Sequence, residues 1–384
     1  MTEITIPFNR PPFMGTEIQH IERAYRYGKV SGDGLFTKKC HELLKAHLGA
    51  HAVLLTTSCT HALEMTALLL DIQPGDEVII PAYTFTSVAT AFVLRGAKPV
   101  FADIEPWTLN LCLDSVKERI TQKTRAIVAV HYAGVGFNLE ELCALANKHN
   151  LPLVEDTAHG LFGNYRGKPL GTFGGLATLS FHETKNFSCG EGGALVINDP
   201  VYYERALIIR EKGTNRAKFF RGDVDKYSWV DQGSSYLPSD ILAAVLYAQL
   251  ERWQDIQGKR RAIWVRYQVG LLDWAKTYGI KLPHIPPDVE QAFHMFYLIM
   301  PTLEVRQAFI RFLRDQGILA VFHYVSLHLS EMGRRFGGQV GDCPVSERMS
   351  DTLVRLPFFY GLSDSEQDRV IETVLRFRPS SAHA

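Results

Sequence analysis

Residues 151–160 read LPLVEDTAHG and residues 177–186 read ATLSFHETKN. In each, a short run rich in apolar residues gives way to polar ones: Pro152–Val154 stops before Asp156, and Ala177–Phe181 stops just short of Lys185. A strand that is apolar at consecutive positions suits a sheet covered on both faces. The cadence continues outward in both directions through Val53–Leu55, Glu77–Ile80, Pro99–Ala102, Ala126–Val130 and Ala194–Ile197. Between these runs, His61–Leu70, Thr86–Arg95, Asp114–Ile120 and Leu139–His149 have helical spacing. Strand–helix alternation from about Val53 to Asp199 predicts an α/β fold with a doubly wound, largely parallel sheet. In such sheets chemistry collects at the carboxyl ends of the strands.

The rest of the chain has another character. A long helical pattern runs from roughly Pro238 to Lys276, broken near Gly258. A strand is expected near Phe293–Met300, a helix near Val305–Gln316, a strand at Ile318–Tyr324 and a closing helix after Ser363. This predicts a large domain over residues 1–250, with an N-terminal arm, and a small α+β domain over 251–384, the Pro-rich Leu282–Pro287 being a connector. The segment Gly213–Tyr236, polar and aromatic with three glycines, reads as a long loop, a feature often functional in compact enzymes.

Composition narrows the class. At ~150 residues per domain, 384 residues suggest two or three units, and 46% apolar residues supply a substantial core. Lys+Arg and Asp+Glu both total 41, so no basic surplus points to nucleic acid. Six cysteines without a C-x-x-C pair argue against a zinc site or disulfide framework and suit a reducing cytosol. The start, MTEITIPFNRPP, lacks a signal-peptide pattern, and the apolar runs fall far short of the ~20 residues of a membrane span. A soluble cytoplasmic enzyme is the expectation.

Asp156 alone reads as a strand-end carboxylate or helix cap, and Lys185 alone as solvated surface. Together, at the edge of one buried sheet, they suggest more. A desolvated lysine can form an imine with an aldehyde, and pyridoxal phosphate (PLP) is the cofactor that most often occupies such a lysine. PLP also wants an acid beside its pyridinium nitrogen, which Asp156 supplies. TTSCTHAL places Ser58 and Thr60 ahead of a helix, as a phosphate cradle or as an ordinary N-cap. PAYTFTS offers Tyr83 and Phe85 as flat surfaces at a strand end, and Phe85 as core is the plainer alternative. GEGG at Gly190–Gly193 reads as a tight turn into the last strand.

These segments carry a family resemblance. TTSCTHALEM, PAYTFTSVATAFVLRGAKPVFADI, VHYAGV, VEDTAHG, SFHETKN, GEGGALVIND and FHYVSLH resemble the nucleotide-sugar aminotransferases, fold-type I PLP enzymes, from Ile6 to the last helix. IREKGTNRAKFFRGDVDKYSWVDQGSSYLPSD resembles most closely the dTDP-4-amino-4,6-dideoxygalactose transaminases. The resemblance implies a large domain with a mostly parallel seven-stranded sheet flanked by helices, a small C-terminal α+β domain, and a homodimer with shared active sites. It implies that Lys185 forms the imine and shuttles protons, that Asp156 pairs with the pyridinium, and that His159 lies near the phenolic oxygen. Phe85 would stack on the ring. Cys59, Thr60 and Ser180, with Ser58 ahead of the helix, would hold the phosphate, completed by Ser235 of the neighbouring subunit. Many relatives carry Gln at the position of His159 and Asn at that of Ser235. The implied reaction takes dTDP-4-keto-6-deoxyglucose and L-glutamate to the 4-amino-4,6-dideoxygalactose nucleotide and 2-oxoglutarate, through pyridoxamine phosphate (PMP), and serves surface polysaccharide.

For the nucleotide, Arg216, Lys218 and Arg221 would meet the diphosphate or form a solvated charge cluster. His323 and His328 would line the sugar pocket, or His328 would satisfy a backbone group. Four residues between them and no third ligand argue against a metal. Other classes fare worse. GVGFNL at Gly134–Leu139 lacks the third glycine of a nicotinamide dehydrogenase, and GNYRGKP at Gly163–Pro169 has the wrong spacing for a P-loop. A PLP sugar dehydratase of the family usually has His where Lys185 stands. A 3-keto-sugar aminotransferase would share the whole cofactor site. An idle scaffold homologue would lack the Lys or the Asp.

Overall fold

The computed structural model describes residues 3–379. The chain enters through α1 (Glu17–Tyr27) and α2 (Leu35–Leu48) and then builds seven strands: β1 (Ala52–Thr56), β2 (Glu77–Pro81), β3 (Lys98–Ala102), β4 (Thr124–Val130), β5 (Leu153–Asp156), β6 (Leu176–Ser180) and β7 (Gly193–Ile197). Their order across the sheet is β1-β7-β6-β5-β4-β2-β3, with only β7 antiparallel to its neighbours. Helices α3 (Cys59–Leu69), α4 (Ser87–Val93), α5 (Leu113–Arg119) and α6 (Leu139–Lys148) form the crossovers. The seven apolar runs of the sequence are the seven strands.

The absence of alternation has its expected cause. Val53 and Leu55 of β1 pack on one face among residues of α2 and of α9 (Asp240–Leu250), while Ala52 and Leu54 pack on the other against α3 and α7 (Tyr203–Arg210). In β2, Val78 and Ile80 enter one core and Ile79 another. Both faces are dry, so the interior positions of these strands are apolar on both sides, with Glu77 and Thr56 at strand ends. Register then aligns the strand ends. Thr56 of β1 and Ser180 of β6 both stand opposite Gly193, and Asp156 stands opposite Thr178 and Val130.

After β7 come α7, α8 (Arg216–Arg221) and α9, then the 25-residue α10 (Trp253–Thr277). A further core gathers α10, α11 (Leu303–Asp315) and α14 (Asp364–Arg376) around a two-stranded antiparallel sheet of β8 (Tyr297–Ile299) and β9 (Leu353–Arg355). Between them lie α12 (Glu331–Arg335) and α13 (Pro344–Thr352). Ile6 from the start of the chain is buried in this same core. Ser363 and Glu366 form a reciprocal capping box that starts α14 where the sequence places it.

Three expectations are corrected. The helical pattern from Pro238 breaks at Glu251–Arg252, between α9 and α10, and Gly258 sits inside α10. Residues 318–324 are not a strand. Ile318 bridges Ile6 while Val321 bridges Arg355, so the pairing is divided between two partners and no ladder forms. The loop 213–236 contains the short α8.

Candidate active site

A cavity of about 530 Å³ opens at the carboxyl ends of β4, β5 and β6, against the N-terminus of α3 and residues of the C-terminal region. Asp156 closes β5 on its floor. One carboxylate oxygen, Oδ1, accepts the Ala158 N–H at 2.9 Å, the only hydrogen bond to this carboxylate among the described residues. Burial raises its pKa, opposed by that N–H, by Lys185 and by His131. It is a carboxylate short of partners, at a place where a cation is favoured.

Lys185 follows β6 and is held by its backbone N–H to His182 O at 2.9 Å. Desolvation pulls its amine from 10.5 down to about 8, with Arg355 pulling the same way and Asp156 and Cys59 opposing. A neutral, nucleophilic amine is therefore far more populated near neutrality than in an exposed lysine.

The N-terminus of α3 forms one wall. Ser58 caps the helix by accepting the His61 N–H at 3.1 Å, so its hydroxyl serves the cap. The N–H groups of Cys59 and Thr60 belong to the first turn, where no intrahelical acceptor exists. Thr60 Oγ1 lies 2.7 Å from Ser87 Oγ, and Ser180 faces the same space from the end of β6. Gly193 explains why the helix can come so close. A Cβ there would lie 2.3 Å from Cys59 N and from Ser58 C, so only glycine lets this wall seat on β7.

Phe85 is 57% exposed and lines the cavity, which removes the alternative of a core side chain; Tyr83 is buried in the core instead. His159 is fixed from behind. Its Nδ1 accepts the Ala133 N–H at 3.3 Å, leaving Nε2 to carry the ring proton. Its ring stacks on His294 at 4.1 Å, and burial with the nearby cations of Lys185 and Arg355 holds it neutral. His323 also lines the cavity, with Nδ1 2.6 Å from the Tyr132 hydroxyl.

Strand-end acid, depressed lysine and open helix N-terminus are the layout of a known group of proteins. The chain matches the DegT/DnrJ/EryC1/StrS aminotransferase family over residues 13–375. It belongs to that family. The spore coat polysaccharide biosynthesis protein SpsC of Bacillus subtilis is 29% identical over 377 residues, covering 96% of each chain. Among solved structures, the aminotransferase TlmJ of Streptoalloteichus hindustanus is similar with 31% identity and a TM-score of 0.88, over 96% of this chain and 98% of that one. The PMP form of the putative sugar aminotransferase Spr1654 of Streptococcus pneumoniae has 29% identity and a TM-score of 0.89, over 96% and 98%. Spr1654 is also known in a PLP form.

In this sugar aminotransferase, then, Ser58, Cys59, Thr60, Phe85, Asp156, His159, Ser180, Lys185 and His323 gather around one cavity. Other residues singled out in the sequence stand apart. His328 is fully buried outside it, between Ser326 Oγ at 3.0 Å and Glu347 Oε1 at 3.0 Å. Arg216 and Arg221 lie on α8, paired with Glu211 at 3.3 Å and with Glu204 at 2.8 Å and Asp223 at 3.0 Å. With Lys218, they are not among the lining residues of their own chain's cavity. Ser235 is exposed, bridged through its backbone to Glu211, and likewise lines no part of that cavity.

Sequence reasoning missed His294, Phe8 and Arg355, all in the lining. Arg355 alone left a signal, a single charge inside the apolar run LVRLPFF. Among the described residues no three His, Cys, Asp or Glu side chains cluster as metal ligands, and no helix is long and apolar enough to cross a membrane.

Proposed function

We propose that this protein is a PLP-dependent aminotransferase that converts dTDP-4-keto-6-deoxy-D-glucose and L-glutamate into dTDP-4-amino-4,6-dideoxy-D-galactose and 2-oxoglutarate. The observation that carries the cofactor is the pairing, in one cavity, of a lysine depressed to about 8 with a buried carboxylate that holds one hydrogen bond. The residues fit the group. Lys185 would bind its aldehyde and Asp156 would face its ring nitrogen. The α3 N-terminus with Thr60 and Ser180 would hold its phosphate, Phe85 would cover its ring, and His159 Nε2–H would donate to its phenolic oxygen. When bound, PLP supplies an electron sink for the carbon being deprotonated and carries the amino group between substrates.

The protein's own part is proton handling and orientation. As a neutral amine Lys185 takes the proton from Cα of the amino acid, and as an ammonium it returns a proton to C4 of the sugar. The face from which it approaches C4 decides an axial amine. Asp156 keeps the ring nitrogen protonated by offering an anion in a dry site. The nucleotide is supported by the resemblance over residues 209–240, which also underlies the galacto product. Ser235, exposed and away from its own cavity, suits a contribution to a second subunit in a homodimer. Residues 1–250 would form the cofactor-binding domain and 251–384 the smaller one, in a cytoplasmic enzyme supplying amino sugar to surface polysaccharide.

The test is an absorbance cycle. The purified protein with PLP should show the visible band of lysine-bound cofactor, lose it with L-glutamate and regain it with dTDP-4-keto-6-deoxyglucose. NMR of the product should show the amine axial at C4. Recovery only with a 3-keto nucleotide sugar would transfer the assignment to that substrate, and no band at all would end it.

A further inference from the structure

His294 and His159 stack nearly parallel, with centroids 4.1 Å apart and planes at 14°, and both line the cavity. The proton on each ring can be placed. A carbonyl only accepts, so Ala292 O, 2.7 Å from Asn186 Nδ2, fixes which way the Asn186 amide faces. Its Oδ1 then meets His294 Nδ1 at 2.9 Å, and that nitrogen must carry the hydrogen. His294 is therefore the Nδ1–H tautomer, while the Ala133 N–H makes His159 the Nε2–H tautomer. Asn186 directly follows Lys185, so one short stretch carries both the reactive amine and the group that sets His294.

The segment bearing His294 is held more firmly than packing a core ring requires. Phe293 has a φ of 49°, a left-handed conformation unfavourable for a phenylalanine. Arg260, buried and without a carboxylate partner among the described residues, donates to Phe293 O at 2.9 Å and to His294 O at 2.5 Å. One turn earlier on α10, Gln257 Oε1 accepts from Asn186 Nδ2 at 3.2 Å, and Ala292 N–H donates to Gly134 O at 2.9 Å. A strained residue and a desolvated guanidinium are thus committed to the place of one imidazole.

The titratable and charged groups facing His159 are Lys185, Arg355, His294, His323 and Tyr132, and no carboxylate is paired with it among the described residues. An imidazolium there would be a further cation beside Lys185 and Arg355, with one face shut off from water by His294. We propose that His294, locked by Asn186, is a positioning residue: it covers the His159 ring and keeps its proton on Nε2, as a fixed donor to the phenolic oxygen of the cofactor. This rests on the PLP reading above and deepens it. It names what holds that donor in one state while Lys185 gains and loses protons beside it.

The experiment follows the ring nitrogens of isotope-labelled histidines by NMR in the full-length protein, His159 and His294 being identified by their loss in His159→Gln and His294→Phe. In wild type His159 should stay neutral and protonated on Nε2, and His294 protonated on Nδ1, down to about pH 5.5. His294→Ala opens one face of His159 to water, so its midpoint should rise to within about one unit of the ordinary 6.5. His294→Phe restores the cover and should return His159 to the neutral state, which separates covering from a general loosening of the site. With PLP bound, the visible band should gain a pH inflection in that range in His294→Ala and lose it when His159→Gln is added. A His159 that titrates near its ordinary value in wild type or in His294→Phe, a His294 protonated on Nε2, or a His159 unmoved by His294→Ala overturns the proposal. The wild-type and His294→Phe arms decide even if His294→Ala fails to fold. A wild type with no visible band overturns the proposed function, whereas a band whose pH profile ignores His294→Ala overturns the role of His294 alone.

Discussion

The amine of Lys185 offers the most direct physical test of the site. Its value in the folded chain, about 8, lies below the 10.5 of an exposed lysine. The sign follows: above about pH 8 the amine is mostly neutral and nucleophilic, and below it the neutral fraction falls tenfold per pH unit. At pH 7 roughly 9% would be neutral, against roughly 0.03% for a lysine at its ordinary value, a gain of roughly 300-fold. Stopped-flow mixing of apoprotein with PLP, alongside a free lysine derivative as reference, should give a capture rate that levels off above about pH 8, while its ratio to the reference holds most of that gain at pH 7 and falls toward one as pH rises from about 8 to 10.5. The neighbours set the direction of two controls. Asp156→Asn removes the carboxylate that holds the ammonium up, so the inflection should move to lower pH; Arg355→Gln removes a cation that pushes it down, so it should move to higher pH. An inflection at the 10.5 of free lysine, or one that ignores both substitutions, would refute the desolvated-amine argument.

Lys185→Ala should abolish turnover and the visible band while leaving the thermal unfolding transition in place, since the amine takes part in no side-chain hydrogen bond or ion pair among the described residues; activity at the wild-type rate would remove it from the site. Asp156→Asn should retain PLP but lower kcat by at least about 100-fold, because the anion proposed to face the ring nitrogen is lost; steady-state kinetics at saturating cofactor decide. Gly193→Ala should weaken PLP binding at least about 10-fold, since its Cβ would press on Cys59 N at 2.3 Å and move the phosphate wall; equilibrium dialysis reads it, and unchanged affinity would mean that wall is not the cradle.

Most of the sheet was legible in the sequence because its strands are dry on both faces, which makes seven apolar runs with polar ends. The C-terminal region was less so. There β8 is three residues long, β9 is three residues long, and residues 318–324 divide their pairing between Ile6 and Arg355. Bridges of one or two residues leave no periodic imprint. The residues that meet around the cavity were legible where they sit at strand ends and helix starts, positions that pattern alone locates. His294 and Arg355 reach the cavity from over a hundred residues away along the chain, through packing that no local pattern encodes.

Adjacent acids on β5 make the same point at the scale of one peptide bond. Glu155 and Asp156 are both buried carboxylates, and pleating sends them to opposite sides of the sheet. Glu155 is saturated. Oε1 accepts Phe173 N–H at 2.6 Å and Gly174 N–H at 2.7 Å, while Oε2 accepts Gly171 N–H at 2.9 Å and lies 2.7 Å from His131 Nε2. It ties the turn before β6 to β5, and nothing remains for a ligand. Asp156, one residue on, keeps a single backbone partner. The pair therefore separates a structural role from a binding one by donor count. Glu155→Gln should lower stability by about 1–3 kcal/mol, as an amide N–H₂ cannot accept the donors it would face. Asp156→Asn should leave stability nearly unchanged in the apoprotein, or raise it, because a desolvated charge is removed where little answers it. Thermal unfolding of both apoproteins at neutral pH distinguishes the two, and a larger loss from Asp156→Asn than from Glu155→Gln would show that donor count does not assign these roles.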